Sequence, residues 1–201
     1  NFAVDSDDVD ARVGMPDLDM LAEVGPELEF RLADMSTGGP LTLAFQLRGA
    51  WSFDSLDTTS RGGIFSTELK YVHPLNGPKD ELRFRLVPEW ASDDYMDFFY
   101  GVAPQFETSF RPAYQSKSGY LGTRVGASLM KYLTHKLVFR TGVTLGLVQG
   151  AANRNSPLYT DKTTYSGFVA VVWNFWESER REPEPDQLLP EGLIPEAIIG
   201  K

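Results

Sequence analysis

The sequence contains no cysteine, which excludes disulfide bonds, thiolate metal sites and a cysteine nucleophile. It contains only two histidines, His73 and His135, and both fall at predicted turns without a catalytic partner that the sequence identifies. The GxSxG, HExxH and phosphate-loop motifs are also missing. We therefore predict that the protein is not an enzyme and that it uses no cofactor and no metal ion.

Long apolar runs and basic patches are missing as well. No apolar run reaches the roughly 18 residues of a transmembrane helix, and the polar start "NFAVDSDDVD" is unlike a signal peptide. The net charge is −9, and the excess of acids lies in residues 1–19 and 177–201. Without a basic stripe, nucleic-acid binding is not expected. An outer-membrane β-barrel has no long apolar run either, so that class stays open.

The centre of the chain alternates apolar and polar residues. In one segment, for example, Phe45 and Leu47 take odd positions while Gln46 and Arg48 take even ones. Period two indicates β-strands, and it extends over seven segments: 20–34, 41–53, 63–73, 81–90, 119–133, 137–150 and 164–176. These are longer than the roughly 5–6 residues of most soluble strands. One apolar face and one charged face predict an all-β, antiparallel transmembrane β-barrel, with a soluble β-sandwich as the alternative.

The connections between these segments suggest an orientation. They alternate between short and long: 35–40, 55–62, 74–80, 92–118, 134–136 and 151–163. Bacterial barrels have short periplasmic turns and longer external loops, so we expect 55–62, 92–118 and 151–163 outside the cell, together with residues 1–19. Seven strands that start outside leave an open edge, which lipid does not tolerate. We therefore expect further N-terminal strands that are absent from this chain.

Four stretches resemble the MltA-interacting protein family, also called MipA/OmpV. They are "ARVGMPDLDMLAEVGPELEFRLA" (11–33), "DDYMDFFYGVAP" (93–104), "RPAYQSKSGYLGTRVGASL" (111–129) and "NSPLYTDK" with "GFVAVVWNF" (155–175). The resemblance covers roughly residues 5–176 and implies a bacterial outer-membrane barrel of about ten strands, or twelve as the alternative. It also implies a non-enzymatic scaffold that joins a murein-cleaving lytic transglycosylase to a murein synthase. Other members are described as adhesins or antibiotic-responsive porins.

We divide the chain into an N-terminally incomplete barrel, 1–176, and a periplasmic tail, 177–201. The resemblance implies that Phe175 is the terminal aromatic residue that the barrel-assembly machinery reads. The tail begins as an acidic, proline-containing linker, and prolines at 190 and 195 prevent one continuous helix. We expect its second half to dock on a periplasmic or outer-membrane protein partner through Leu188, Leu189, Leu193, Ile194, Ile198 and Ile199. A disordered tail, or one that fills the lumen, is the alternative.

Two further groups are candidate sites within the barrel. The longest external loop carries an aromatic patch that could bind a ligand or receptor, although we favour packing in the girdle and the loop: Tyr95, Phe98, Phe99 and Tyr100. The polar face predicts charges inside the lumen, for which we favour a closed network of ion pairs in so narrow a barrel, with a solute path as the alternative. These charges are Glu27, Glu29, Arg31, Arg48, Glu68, Lys70, Arg83, Arg85, Arg124 and Arg140.

The acidic run "DSDDVDARVGMPDLD" superficially resembles a calcium-binding loop. Counted from Asp5, however, the positions that need glycine and glutamate hold Asp10 and Pro16. We therefore expect a solvated acidic loop.

The sequence thus predicts a non-enzymatic outer-membrane barrel that acts as a scaffold or structural subunit of an envelope complex, and the resemblance implies that it links murein-remodelling enzymes to the membrane. The alternatives are a small porin or uptake channel, or a surface adhesin that acts through loop 92–118.

Overall fold

The alternating segments form one antiparallel sheet. The computed structural model describes residues 9–36, 38–54, 57–76, 79–159 and 163–175. The strands are β1 (Met20–Val24), β2 (Glu27–Asp34), β3 (Pro40–Asp54), β4 (Asp57–Pro74), β5 (Glu81–Ala91), β6 (Gly119–Tyr132), β7 (Leu137–Leu147) and β8 (Thr163–Trp173). One helix, α1 (Asp93–Tyr100), lies between β5 and β6, and short 3-10 turns span Asp10–Arg12 and Pro104–Phe106.

The strands follow one another across the sheet in sequence order. From β3 to β8 each strand pairs with the next, and β1 and β2 both pair with β3. All seven pairings are antiparallel. The sheet curls into a half-barrel, which confirms the predicted all-β barrel architecture.

The first predicted strand, 20–34, is present but interrupted. Val24 lies opposite Gly49 and Glu27 opposite Gln46, so β1 and β2 continue in the same register along β3. The break falls at Gly25 and Pro26. Proline has no backbone donor for the ladder, and a Cβ at Gly25 would lie 1.8 Å from the Leu47 carbonyl oxygen. Seven predicted segments therefore appear as eight strands.

The outer face of the sheet is apolar and carries a row of aromatic rings from five adjacent strands. Neighbouring ring centroids along this row are 5.8 to 6.5 Å apart. The row comprises Phe30, Phe45, Phe65, Trp90 and Tyr120. An apolar outer band with aromatic residues is typical of barrels that face lipid.

One predicted connection is wrong. We expected a loop at 55–62, but β4 begins at Asp57, and Thr59 and Ser60 pair with Ser52 and Trp51 of β3. The threonine and serine residues at the start of β4 show no alternation of apolar and polar side chains, so the pattern did not reveal a strand there. Their backbone groups can nevertheless pair with β3 like those of other residues. The expected further N-terminal strands stay a prediction.

Among the described residues, no helix is both long and apolar enough to cross a membrane.

The outer face generates the first prediction. Leu47, in the middle of β3, is 60% exposed on the apolar face, and arginine on the lipid-facing side of a barrel destabilises by about 2–4 kcal/mol near the bilayer midplane. Leu47→Arg is expected to lose stability in this range, measured by urea unfolding of protein folded into phospholipid vesicles.

The neighbouring position supplies the control. Gln46 faces the interior, where its side chain donates to Glu27 at 3.2 Å, so Gln46→Arg gains a carboxylate partner instead of facing lipid. Equal losses in the two variants would contradict the assignment of the faces.

Candidate functional site

Helix α1 covers the inner face of the sheet where β5 ends. Ser92 caps the helix, because its Oγ accepts a hydrogen bond from the Tyr95 backbone N–H at 3.4 Å. Asp93 and Asp94 lie in the first turn, where negative charge favours a helix. The same Ser92 Oγ accepts from the Gly63 N–H at 3.0 Å, so the cap also fixes the helix to β4.

The helix is held by an apolar cluster that spans most of the sheet. Met96 is 1% exposed and belongs to a cluster with residues from five strands. The buried members of the cluster are Leu21, Ala50, Ile64, Ala91, Tyr95 and Met96, with Phe98, Phe99, Tyr100 and Leu121 packed against them. Because these strand residues come from β1, β3, β4, β5 and β6, α1 bridges the concave side of the half-barrel.

Directly beside this cluster lies a chain of ion pairs on the inner face. Arg48 donates to Glu23 at 2.6 Å and to Glu89 at 3.0 Å, and Arg124 donates to Glu89 at 2.7 Å. The Tyr95 hydroxyl donates to Glu23 at 2.9 Å. Arg48, Glu23 and Glu89 are largely removed from water and need such partners, whereas Arg124 is half-exposed. Through Tyr95, the helix and these ion pairs form one interlocked unit.

Burial of Tyr95 raises the pKa of its phenol well above the usual range, and the adjacent Glu23 carboxylate raises it further. Both effects disfavour the phenolate. Tyr95 therefore stays protonated and continues to donate to Glu23 at every physiological pH.

Two buried arginines tie the long loop to the N-terminal segment. Arg111, 8% exposed, donates to the backbone carbonyls of Ala11 and Val13 at 3.0 Å each, and to that of Phe106. Arg12, also 8% exposed, donates to the Phe99 carbonyl at 3.4 Å. Burial lowers the pKa of Arg12, and the positive charge of Arg111 lowers it further. The two segments are thus locked together although about a hundred residues separate them.

The loop between β7 and β8 closes over the same region. Asn153, 1% exposed, accepts from the Lys117 N–H at 2.9 Å and donates to the Lys117 carbonyl at 2.8 Å. Ser156 donates to the Tyr100 carbonyl at 2.7 Å, and the rings of Tyr100 and Tyr159 are 4.9 Å apart. Loop 92–118 is therefore held from three sides.

The structure places the predicted aromatic loop patch in the interior. Tyr95 is buried, and Phe98, Phe99 and Tyr100 are half-buried against the core cluster. The helix turns these rings toward the sheet, as the favoured interpretation of girdle and loop packing expects, and a ligand-binding role for the patch stays a prediction. The Arg61 guanidinium lies 4.7 Å above the Phe98 ring.

The predicted lumen charges differ in their surroundings. Arg48 and Arg124 belong to the ion-pair chain, and Lys70 bonds Glu29 at 2.6 Å. Arg31 pairs with Asp34 at the end of β2, and Arg83 pairs with Glu81. Gln46 contacts Glu27. The remaining charges line cavities near the other end of the sheet: Glu68, Arg85 and Arg140.

The other predicted site residues lie near or beyond the end of the described chain. Phe175 is 79% exposed and contacts Trp173 edge to face, with ring centroids 6.4 Å apart. Its role in assembly stays a prediction. The docking residues of the tail, 188–199, and the first aspartates of the acidic run, 5–8, fall outside the described residues.

Sequence reasoning missed the residues that hold the cover of the inner face, which consists of α1 and the rest of loop 92–118. Glu23, Glu89, Arg12, Arg111 and Asn153 were not singled out, because each acts through a partner far away in the chain. The signal available was local: Arg12 and Arg111 are charged residues inside the motif stretches "ARVGMPDLD" and "RPAY".

The curled antiparallel sheet, its apolar aromatic outer face and its polar inner face define an outer-membrane protein of the β-barrel class. Within that class, the chain belongs to the MltA-interacting protein MipA family, whose profile matches residues 1–175. The family is one of protein interaction rather than of known enzymes. No curated protein and no solved structure matches the chain.

The buried arginines generate a second prediction. Arg111→Met keeps the apolar stem but leaves three backbone carbonyls without their donor. Hydrogen bonds to charged groups contribute about 1.5–3 kcal/mol each, but water can replace part of them once the loop loosens. We therefore expect a net loss of about 3 kcal/mol and faster proteolysis within 92–118. Limited proteolysis followed by mass spectrometry measures the latter. Arg154→Met, at an exposed position, should behave like the unaltered protein; if it is cleaved equally fast, Arg111 has no special role.

A third prediction concerns pH. Because the folded-state pKa of Tyr95 is raised, its stabilising contribution is complete below the unfolded value of about 10 and falls as pH rises beyond it. Tyr95→Phe should be about 1 kcal/mol less stable near pH 8, and the difference should shrink at pH 11. Chemical unfolding in detergent measures both values. Tyr165→Phe, at a residue 85% exposed on β8, is the control, and a gap for Tyr95→Phe that stays constant between the two pH values would contradict the linkage.

Proposed function

We propose that the protein is a scaffold or structural subunit of an envelope complex that links murein-remodelling enzymes to the outer membrane. The observation that carries this proposal is the covered inner face: α1 and its loop pack across the concave side of the sheet through the core cluster around Met96. A channel needs an open interior, whereas a scaffold needs a rigid anchor.

The polar interactions of the interior favour the same conclusion. Side chains largely fill the interior of a small barrel. Here the series of ion pairs that runs from Glu23 to Arg124 connects β1, β3, β5 and β6. The loop above it is fastened by Arg111 and Asn153. Such a cover is built to stay closed, which makes the small porin the second candidate. The buried position of Tyr95 weakens the adhesin alternative.

The partner proposal rests on the family and on the tail sequence. The family name points to MltA as the first partner to test. The tail repeats the pattern of paired apolar residues next to a proline, in "LLPEGL" and "LIPEAI". Paired apolar anchors suit docking in a partner's groove. We propose that the tail lies in the periplasm and recruits the partner there.

The test compares partner capture by the intact chain and by a chain that ends at Trp176. Purified MltA should bind the intact protein in mild detergent and lose binding to the truncated one. Replacing Leu193 and Ile194 by serine should weaken capture, because the apolar anchors are lost. Glu191→Gln with Glu196→Gln, in the same segment, is the matched control and should retain capture.

Two outcomes would overturn parts of the proposal. Equal capture by the intact and truncated chains would remove the tail from the mechanism but keep the scaffold. No capture by either chain, together with stepwise conductance in planar bilayers, would replace the scaffold by the channel.

A further inference from the structure

We propose that the inner face of β5, β6 and β7 carries a binding groove for a small multivalent oxyanion, such as a phosphate ester or a polycarboxylate. This proposal does not depend on the scaffold function. It rests on three arginines that meet in one cavity without enough acids to neutralise them.

The cavity lies near the end of the sheet opposite to α1. Its volume is about 220 Å³, and its charged lining residues are Arg83, Arg85, Arg140 and one acid, Glu81. Arg83 and Arg85 are two residues apart on β5 and so share a face. Glu81 pairs with Met130, which pairs with Arg140, so these positions also share that face across β6. The charge of the lining is therefore clearly positive.

Two of the three arginines are left without an acidic partner. In the part of the chain that the structure describes, Arg85 and Arg140 form no ion pair and no side-chain hydrogen bond. Arg83 contacts Glu81, but its Nε is buried without a partner. Both Arg85 and Arg140 are exposed, so a ligand can reach their guanidinium groups. A planar guanidinium offers parallel donors that match phosphate and carboxylate oxygens.

The groove continues toward the covered end. A smaller cavity of about 70 Å³ is lined by Arg85, Arg124 and Glu68. Gly126 leaves space beside the Arg85 guanidinium, because a side chain there would begin with a Cβ only 3.8 Å from Arg85 Nε. A ligand with charges at both ends therefore has room along β5 and β6, which favours a multivalent anion over chloride.

The opposite half of the inner face shows why the location is specific. There Arg48 is shared by Glu23 and Glu89, and Lys70 is held by Glu29. Those cations are already neutralised, so an added anion gains little from them. On the inner face of the described strands, Arg85 of β5 and Arg140 of β7 are left free for a ligand.

The test titrates the full chain in detergent with pyrophosphate and, separately, with citrate, at constant ionic strength, by isothermal calorimetry. We expect saturable binding of at least one probe. Arg85→Gln and Arg140→Gln should each weaken it by about tenfold, the scale of one lost charge-assisted hydrogen-bond pair. Which probe binds distinguishes a phosphate from a carboxylate ligand.

Two further variants separate binding from folding. Glu68→Gln removes an acid that lines the smaller cavity together with Arg85 and should tighten binding, a gain that misfolding cannot produce. Arg31→Gln removes the same charge from β2, far across the sheet, and should leave the affinity unchanged. Absence of saturable binding of both probes would overturn the proposal. So would equal weakening by Arg31→Gln and Arg85→Gln, because that pattern reflects net charge alone.

Discussion

Charge pairing on the inner face is the constraint on which the rest of the structure depends. Because β3 turns its apolar side chains toward the outside, its alternate residues, among them Arg48, must point inward. A guanidinium in this half-buried position needs acids within reach, and Glu23 and Glu89 supply them from the two sides. Helix α1 then completes the arrangement through Tyr95, so the position of the cover follows from the position of the charges.

The cover itself depends on a second constraint, which is that buried loop backbone must find hydrogen-bond partners. Arg111 satisfies carbonyls of two segments that are about a hundred residues apart, and Asn153 satisfies both backbone groups of Lys117. Arginine and asparagine suit this task because each presents several donors or acceptors at fixed angles. A loop fastened in this way resembles a structural layer more than a gate.

The alternation of the sequence was sufficient to predict the strands and their two faces. It did not predict the break at Gly25 and Pro26, which depends on a missing donor and a close backbone approach, or the extension of β4 to Asp57. The short helix α1 was not predicted either, because its eight residues, rich in aromatics, show no clear helical periodicity. The alternation shows which face of the sheet a charged residue occupies. It does not show the ion-pair partner, because residues such as Glu23 and Arg48 come together only through the register between β1 and β3.

The same alternation produces two different environments on one inner face. On the β1–β4 side, acids such as Glu23 and Glu29 lie within reach of the inward-facing cations and form ion pairs with them. On the β6–β7 side, the inward positions are mostly glycine, serine and threonine, which offer space but no negative charge. Arginines there cannot be neutralised by the described sheet. The closed half therefore contributes rigidity, and the open half contributes an electropositive surface, from one strand pattern and without separate domains.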